Sequence, residues 1–214
     1  MGVSADIVAS LVGLPVWSAV VGPAGQYVLS LEIGAQSRRP VRLANPRLSF
    51  VKRTFEGTHA LLVECPWRLE NDSGIVASAY EAFESAEDGA VVGEHPGFTD
   101  ETIEKSYLDE RTGDLTLVLS EGLIFRAIVL ETRRRAPERT NWTLTSPDKV
   151  LSSGPGGRLL VRSRAEAEGA FKRMIRALEG GEDDLVKRLA KNRGMAAVPP
   201  LEDEPIEPTD EEPS

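Results

Sequence analysis

Apolar and polar positions alternate with a period of two through most of the chain. Near the start, however, the period is helical. Ile7, Val8, Leu11 and Val12 fall at helical spacing, Ser4 stands where an N-cap belongs, and Gly13 and Pro15 close the segment. The period then shortens. Val16, Ser18 and Val20 alternate with Trp17, Ala19 and Val21. After the Gly22-Pro23-Ala24-Gly25 turn, Tyr27, Leu29, Leu31 and Ile33 share one face, which predicts a β-hairpin. Residues 34–46 are polar, contain Pro40 and Pro46, and predict a loop. Residues 48–51 predict a short strand.

The strongest alternation covers residues 59–69. Leu61, Val63, Cys65, Trp67 and Leu69 lie on one face, with Ala60, Leu62, Glu64 and Arg68 on the other. Pro66 has no N–H to give to a ladder, so an edge position or a bulge is expected there. Asn71-Asp72-Ser73-Gly74 turns the chain and residues 75–80 return as the partner strand. Residues 81–100 show no period. Strands are expected over 102–108, around Leu115, Leu117 and Leu119, and over 123–130. They are joined by turns at Arg111-Thr112-Gly113-Asp114 and Glu121-Gly122. Two more short strands, 141–145 and 158–162, flank Gly154-Pro155-Gly156-Gly157.

Helical spacing resumes at the C-terminal end. Ser163 and Glu166 have capping-box spacing, and Ala167, Ala170, Phe171, Met174, Ile175 and Leu178 line one helix face. After Gly180-Gly181 a second helix opens on Glu182, Asp183 and Asp184 and closes on Lys187, Arg188, Lys191 and Arg193, charges that suit its two ends. The order helix, strands, helices predicts an α+β fold that is mainly antiparallel β: a meander sheet, a sandwich or a partly open barrel. It carries a short N-terminal helix and two C-terminal helices. The expected parts are a β-rich domain over 1–162, a helical extension over 163–194 and a disordered tail over 195–214.

Charge sharpens that division. The 214 residues include 25 basic and 34 acidic ones, for a net charge of −9. Seven of the acidic residues, and none of the basic ones, fall after Gly194, in a stretch with five prolines. The first 194 residues are close to neutral, so the acidity says little about what the folded part binds. A single Cys cannot form an internal disulfide, and a reducing cytoplasm is expected. No charge falls between Asp6 and Glu32, a length that would span a bilayer, but prolines and glycines interrupt it and no basic residue precedes it. Neither a membrane span nor a signal peptide is expected.

The chemistry-bearing patterns are sparse. No Walker-type loop, dinucleotide fingerprint or nucleophile elbow is present. The Gly154–Gly157 sequence lacks a following Lys-Ser/Thr and reads as a plain turn. His59 and His95 have no nearby second His or Cys, so no metal or other cofactor is expected. Cys65 reads as a buried small hydrophobe. The carboxylates Asp109, Glu110 and Asp114 read as a solvated turn. The residues left for partner binding are Glu64 and Arg68, opposite the apolar face of their strand, and Arg133, Arg134 and Arg135. With Arg139 these last three form the only dense basic run that stands out. The near-neutral body makes nucleic acid an unlikely partner.

The run Ala60-Leu61-Leu62-Val63-Glu64-Cys65-Pro66-Trp67-Arg68-Leu69, followed by Gly74-Ile75-Val76-Ala77-Ser78, resembles a widespread group of small uncharacterised bacterial proteins, common in actinobacteria. Leu14-Pro15-Val16-Trp17, Leu29-Ser30-Leu31-Glu32-Ile33-Gly34 and Trp142-Thr143-Leu144 are similar to that group as well. The resemblance covers roughly residues 11–160, carries over no catalytic residue, and implies a small partner-binding protein of the kind found near toxins and conflict systems. The function expected is therefore non-enzymatic: a protein-binding or accessory protein, immunity-like in its closest analogy, whose partner is another protein. A structural subunit of a multimer, a homo-oligomer, and an enzyme with a dispersed site are the alternatives.

Overall fold

The computed structural model describes residues 2–21, 28–40, 42–43, 48–79, 93–94, 96–98, 100–129 and 140–169. Residues 1–168 form one compact unit and residues 169–214 a second. The expected turn at 22–25, the Arg133–Arg135 run, His95 and the C-terminal helices beyond residue 169 lie outside the described residues.

Helix α1 (Val3–Ala9) buries Ile7 and Val8, and Leu11 is buried just beyond it. It starts two residues earlier than its spacing suggests. Ser4 lies inside it, Gly2 is the N-cap without a side-chain bond, and Val12 is exposed. The hairpin follows as β1 (Pro15–Val21) and β2 (Leu29–Arg38), antiparallel, with Leu29, Leu31 and Ile33 inward. β2 continues five residues into the expected loop. Residues 48–51 do not form a strand. Ser49 instead accepts a bond from Lys52 N–H through Oγ at 3.4 Å and starts a short helix, α2 (Phe50–Thr54).

The long strand expected over 59–69 is two strands. β3 (Phe55–Val63) pairs with β2 and with β10 (Trp142–Thr145), whereas β4 (Trp67–Asn71) pairs with β5 (Gly74–Ser78) and β9 (Ile124–Ala127). The partner changes across three residues. Glu64 N–H donates to Asn141 O at 2.7 Å, on the β10 side, while Pro66 O accepts from Ile128 N–H at 2.9 Å, on the β9 side. Pro66, with no N–H of its own, sits where the ladder changes hands. The inward alternation nevertheless runs straight through: Leu61, Val63, Cys65, Trp67 and Leu69 are all buried.

The remaining strands are β6 (Gly93–Glu94), β7 (Glu101–Leu108), β8 (Leu115–Leu119), β11 (Lys149–Ser153) and β12 (Leu159–Ser163). Eleven strands form one open antiparallel path, β12-β11-β10-β3-β2-β1-β7-β8-β9-β4-β5, and β6 pairs on β1 beside it. β3 and β4 stand six positions apart in that order, about 29 Å in a flat sheet. The chain joins them through Glu64, Cys65 and Pro66, a link that reaches at most about 14 Å. The sheet must therefore curl until its two halves face each other, with the link as a corner. One core results. It joins Leu31, Leu61 and Trp142 of one half to Leu69, Leu117 and Phe125 of the other. Phe98 packs edge-on against two rings of the second half, 6.0 Å from Trp67 and 5.6 Å from Phe125.

Two turns lock together on the rim. Gly113, in the β7–β8 turn, and Gly157, in the β11–β12 turn, have φ of +78° and +74°. A Cβ on Gly113 would stand 2.8 Å from Gly157 Cα, and one on Gly157 would overlap the Thr112 carbonyl. Trp142 Nε1 donates to Gly113 O at 2.7 Å and fixes the same corner from below. Gly154–Gly157 is thus a structural turn, as its sequence suggests. The expected capping box forms: Ser163 Oγ accepts from Glu166 N–H at 3.2 Å, Glu166 Oε2 accepts from Ser163 N–H at 2.9 Å, and residues 164–169 are helical.

Candidate functional site

Among the described residues, those singled out for chemistry have separate structural partners. Glu64, in the corner link, accepts a bond from Thr140 Oγ1 at 2.7 Å. Arg68, on β4, pairs instead with Glu70: its Nε is 2.8 Å from Glu70 Oε2. Asp109 accepts from Arg111 N–H at 2.9 Å and from Thr112 N–H at 3.2 Å, and these backbone bonds hold its pKa below the usual carboxylate value. It is the brace of a turn. His59 is buried at the end of the β3 inner face, with Ser10 Oγ 3.4 Å from Nε2 and Thr58 Oγ1 3.2 Å from Nδ1. Burial lowers its pKa. Cys65 is buried too, and burial pushes its thiol up to about 12, far from a nucleophile's range. Among the described residues no three of His, Cys, Asp and Glu gather in a way that could hold a metal ion.

A different set does converge, across the solvent face of β7-β8-β9-β4-β5. Strand pairing puts Tyr107, Thr116, Arg126, Arg68 and Ser78 in one transverse row, and Lys105, Val118, Ile124, Glu70 and Ile75 in the next. Four strand spacings make the rows about 19 Å wide. Arg68 and Arg126 are direct cross-strand partners, an arrangement that like charges disfavour. Glu70 resolves it by standing between them: Arg126 Nε donates to its Oε1 at 2.6 Å, and Arg68 approaches its other oxygen. The Arg126 hydrogen bond is the main reason the Glu70 pKa lies below the usual value, and the Arg68 charge adds to it. With Lys105 the two rows remain net positive. Their rim carries exposed Tyr107 (55 %) and Ile75 (59 %).

The β2–β3 connection is a second positive place, and one that a search for adjacent arginines passes over. Residues 38–53 contain Arg38, Arg39, Arg42, Arg47, Lys52 and Arg53 and no acidic residue. The Arg133–Arg135 run is therefore not the only dense basic stretch. Arg39 is spent internally: it pairs with Glu32 and, at 3.4 Å, with Glu56. Glu32 also accepts from Gly57 N–H at 2.8 Å. Burial raises the Glu32 pKa, and the Gly57 N–H and the Arg39 charge offset part of that rise.

Among the described residues, no helix is long and apolar enough to cross a membrane. Comparison with protein-family models, with curated proteins and with solved structures finds no match to this chain.

Proposed function

We infer that the chain is a protein-binding or accessory protein and not an enzyme, and that the five-strand outer face is its docking surface. The observation that carries this is the paired rows themselves: a broad, regular sheet face that presents Tyr107, Arg126, Arg68 and Ile75 to solvent. Tyr and Arg are the residues most enriched where protein interfaces gain their energy. The Glu70 bridge holds both guanidinium groups in fixed positions, so little side-chain freedom is lost when a partner meets them. The dispersal of Glu64, Arg68 and Asp109 among separate structural duties supports a non-enzymatic reading. The immunity-like form of that role, in the cytoplasm, rests on the resemblance to small bacterial proteins. Arg133–Arg135 remain proposed as additional partner contacts.

Cross-linking in a lysate of the native host tests the docking face, because Lys105 lies within it and reacts with amine-specific reagents. Links from Lys105 to one partner protein are expected. The double substitution Arg68→Gln/Arg126→Gln should remove them while leaving the melting temperature within about 3 °C, since both side chains are surface groups and no like charges are brought together. Links that persist unchanged in the double variant would remove this face from consideration.

A further inference from the structure

Helix α2 is inside out. Its Lys52 and Thr54 are each only 7 % exposed, whereas Phe50 is 60 % and Val51 44 % exposed. Lys52 is drawn inward because Nζ reaches the Ala19 carbonyl of β1 at 3.4 Å. The buried polar pair leaves the two hydrophobic side chains facing water. Leu43, bound through its N–H to Arg53 O at 3.0 Å, is a third exposed hydrophobe on the same connection. Arg42 stands over the Phe50 ring, its guanidinium carbon 5.1 Å from the centroid, and exposed Arg38 leads into the connection from β2. Buried polar and exposed apolar side chains on one short helix are the reverse of ordinary patterning, and such reversals mark interaction sites.

We propose that this connection docks an acidic segment of a partner protein, one in which carboxylates are interleaved with aliphatic side chains. The charge complement follows from the exposed residues: the stretch has no acidic residue, Arg39 is paired internally and Lys52 is buried, and exposed Arg38 and Arg42 remain to bind carboxylates, each through two parallel N–H bonds. A second copy meeting the same patch would set arginine against arginine. A nucleic acid strand would satisfy the arginines and stack on Phe50, but it offers nothing for Val51 and Leu43 to pack against. An anionic bilayer would accept all three, yet α2 is five residues long and exposes only Phe50 and Val51, too small an apolar face to anchor in one. An acidic, aliphatic segment uses both halves of the patch.

The test is fluorescence anisotropy of the full chain with a labelled peptide of repeated Glu-Leu-Asp. Three competitors are measured beside it: the same peptide with Ser for Leu, an oligothymidylate, and phosphatidylcholine vesicles containing phosphatidylserine. The Glu-Leu-Asp peptide should bind, more weakly at high salt. Arg42→Glu and the pair Phe50→Ser/Val51→Ser should each weaken it by about tenfold or more. Arg38→Glu provides a second charge variant, and unchanged melting temperatures confirm that the variants fold. Replacing Leu by Ser in the peptide should cost a similar factor. Arg68→Gln/Arg126→Gln should leave this binding as it was, which separates the two faces. Absence of peptide binding, indifference to both classes of variant, or tighter binding of the oligonucleotide or the vesicles overturns the proposal.

Discussion

Two buried ionisable residues set opposing responses to acid. His59 has its pKa lowered by burial from 6.5, so the folded chain binds fewer protons there than the unfolded one. Its contribution to stability is complete above pH 6.5 and is lost as the pH falls through the lowered value. Glu32 behaves in the opposite sense. Burial raises its pKa above 4.5, so the native state takes up a proton first, and its contribution is complete below pH 4.5 and is lost as the pH rises through the raised value. Urea unfolding between pH 7.5 and 4.5 should therefore show a fall in stability below pH 6.5 that His59→Asn flattens. Glu32→Gln should remove a compensating gain at the acidic end; equal pH slopes in all three proteins would contradict these assignments. The inward position of His59 was legible, since it shares the parity of Leu61 and Val63. The Glu32–Arg39–Gly57 arrangement was not, because strand period places Glu32 on the outer face and says nothing of the connection that folds over it.

At the scale of elements, the turns carry more of the architecture than their sequences announce. The β7–β8 and β11–β12 turns touch through two glycines, so Gly157→Ala should cost roughly 2–4 kcal/mol, from a strained positive φ and overlap with the Thr112 carbonyl. Urea denaturation reads this directly, and a cost below about 0.5 kcal/mol would mean that the turns separate freely. The strands that sequence pattern recovered are those whose alternation is clean, such as Leu115, Leu117 and Leu119 in β8. β11 was missed because its inward positions are Leu151 and Ser153, and a serine at 0 % exposure leaves no apolar mark. α2 was misread as a strand because its hydrophobic residues face water and its lysine does not. Only the Ser49 cap betrays it. Arg68 was placed on the correct face, but its significance depends on Glu70 and on Arg126, which lies 58 residues along the chain.

At the scale of the molecule, the division at residue 168 separates the curled sheet from everything after it. A chain ending at residue 168 should melt within about 3 °C of the full protein by circular dichroism, because the buried core of the described residues lies in the first unit. A larger loss would show that the later residues complete the fold. The mainly antiparallel sheet was legible from periodicity; the curl was not, since alternation records which side of a strand faces inward but not which strand lies beside it. The corner at Glu64, Cys65 and Pro66 has a consequence for the chain's tolerance of change. Surface turns absorb an inserted residue by bulging outward, and strand parity on either side can adjust. Here the segment is clamped at both ends to different neighbours. One residue added or removed would force Leu61 and Val63, or Trp67 and Leu69, to exchange core for water along half the sheet. This three-residue link is thus a gauge that keeps both halves in step, and it is the place where length, more than residue identity, is under constraint.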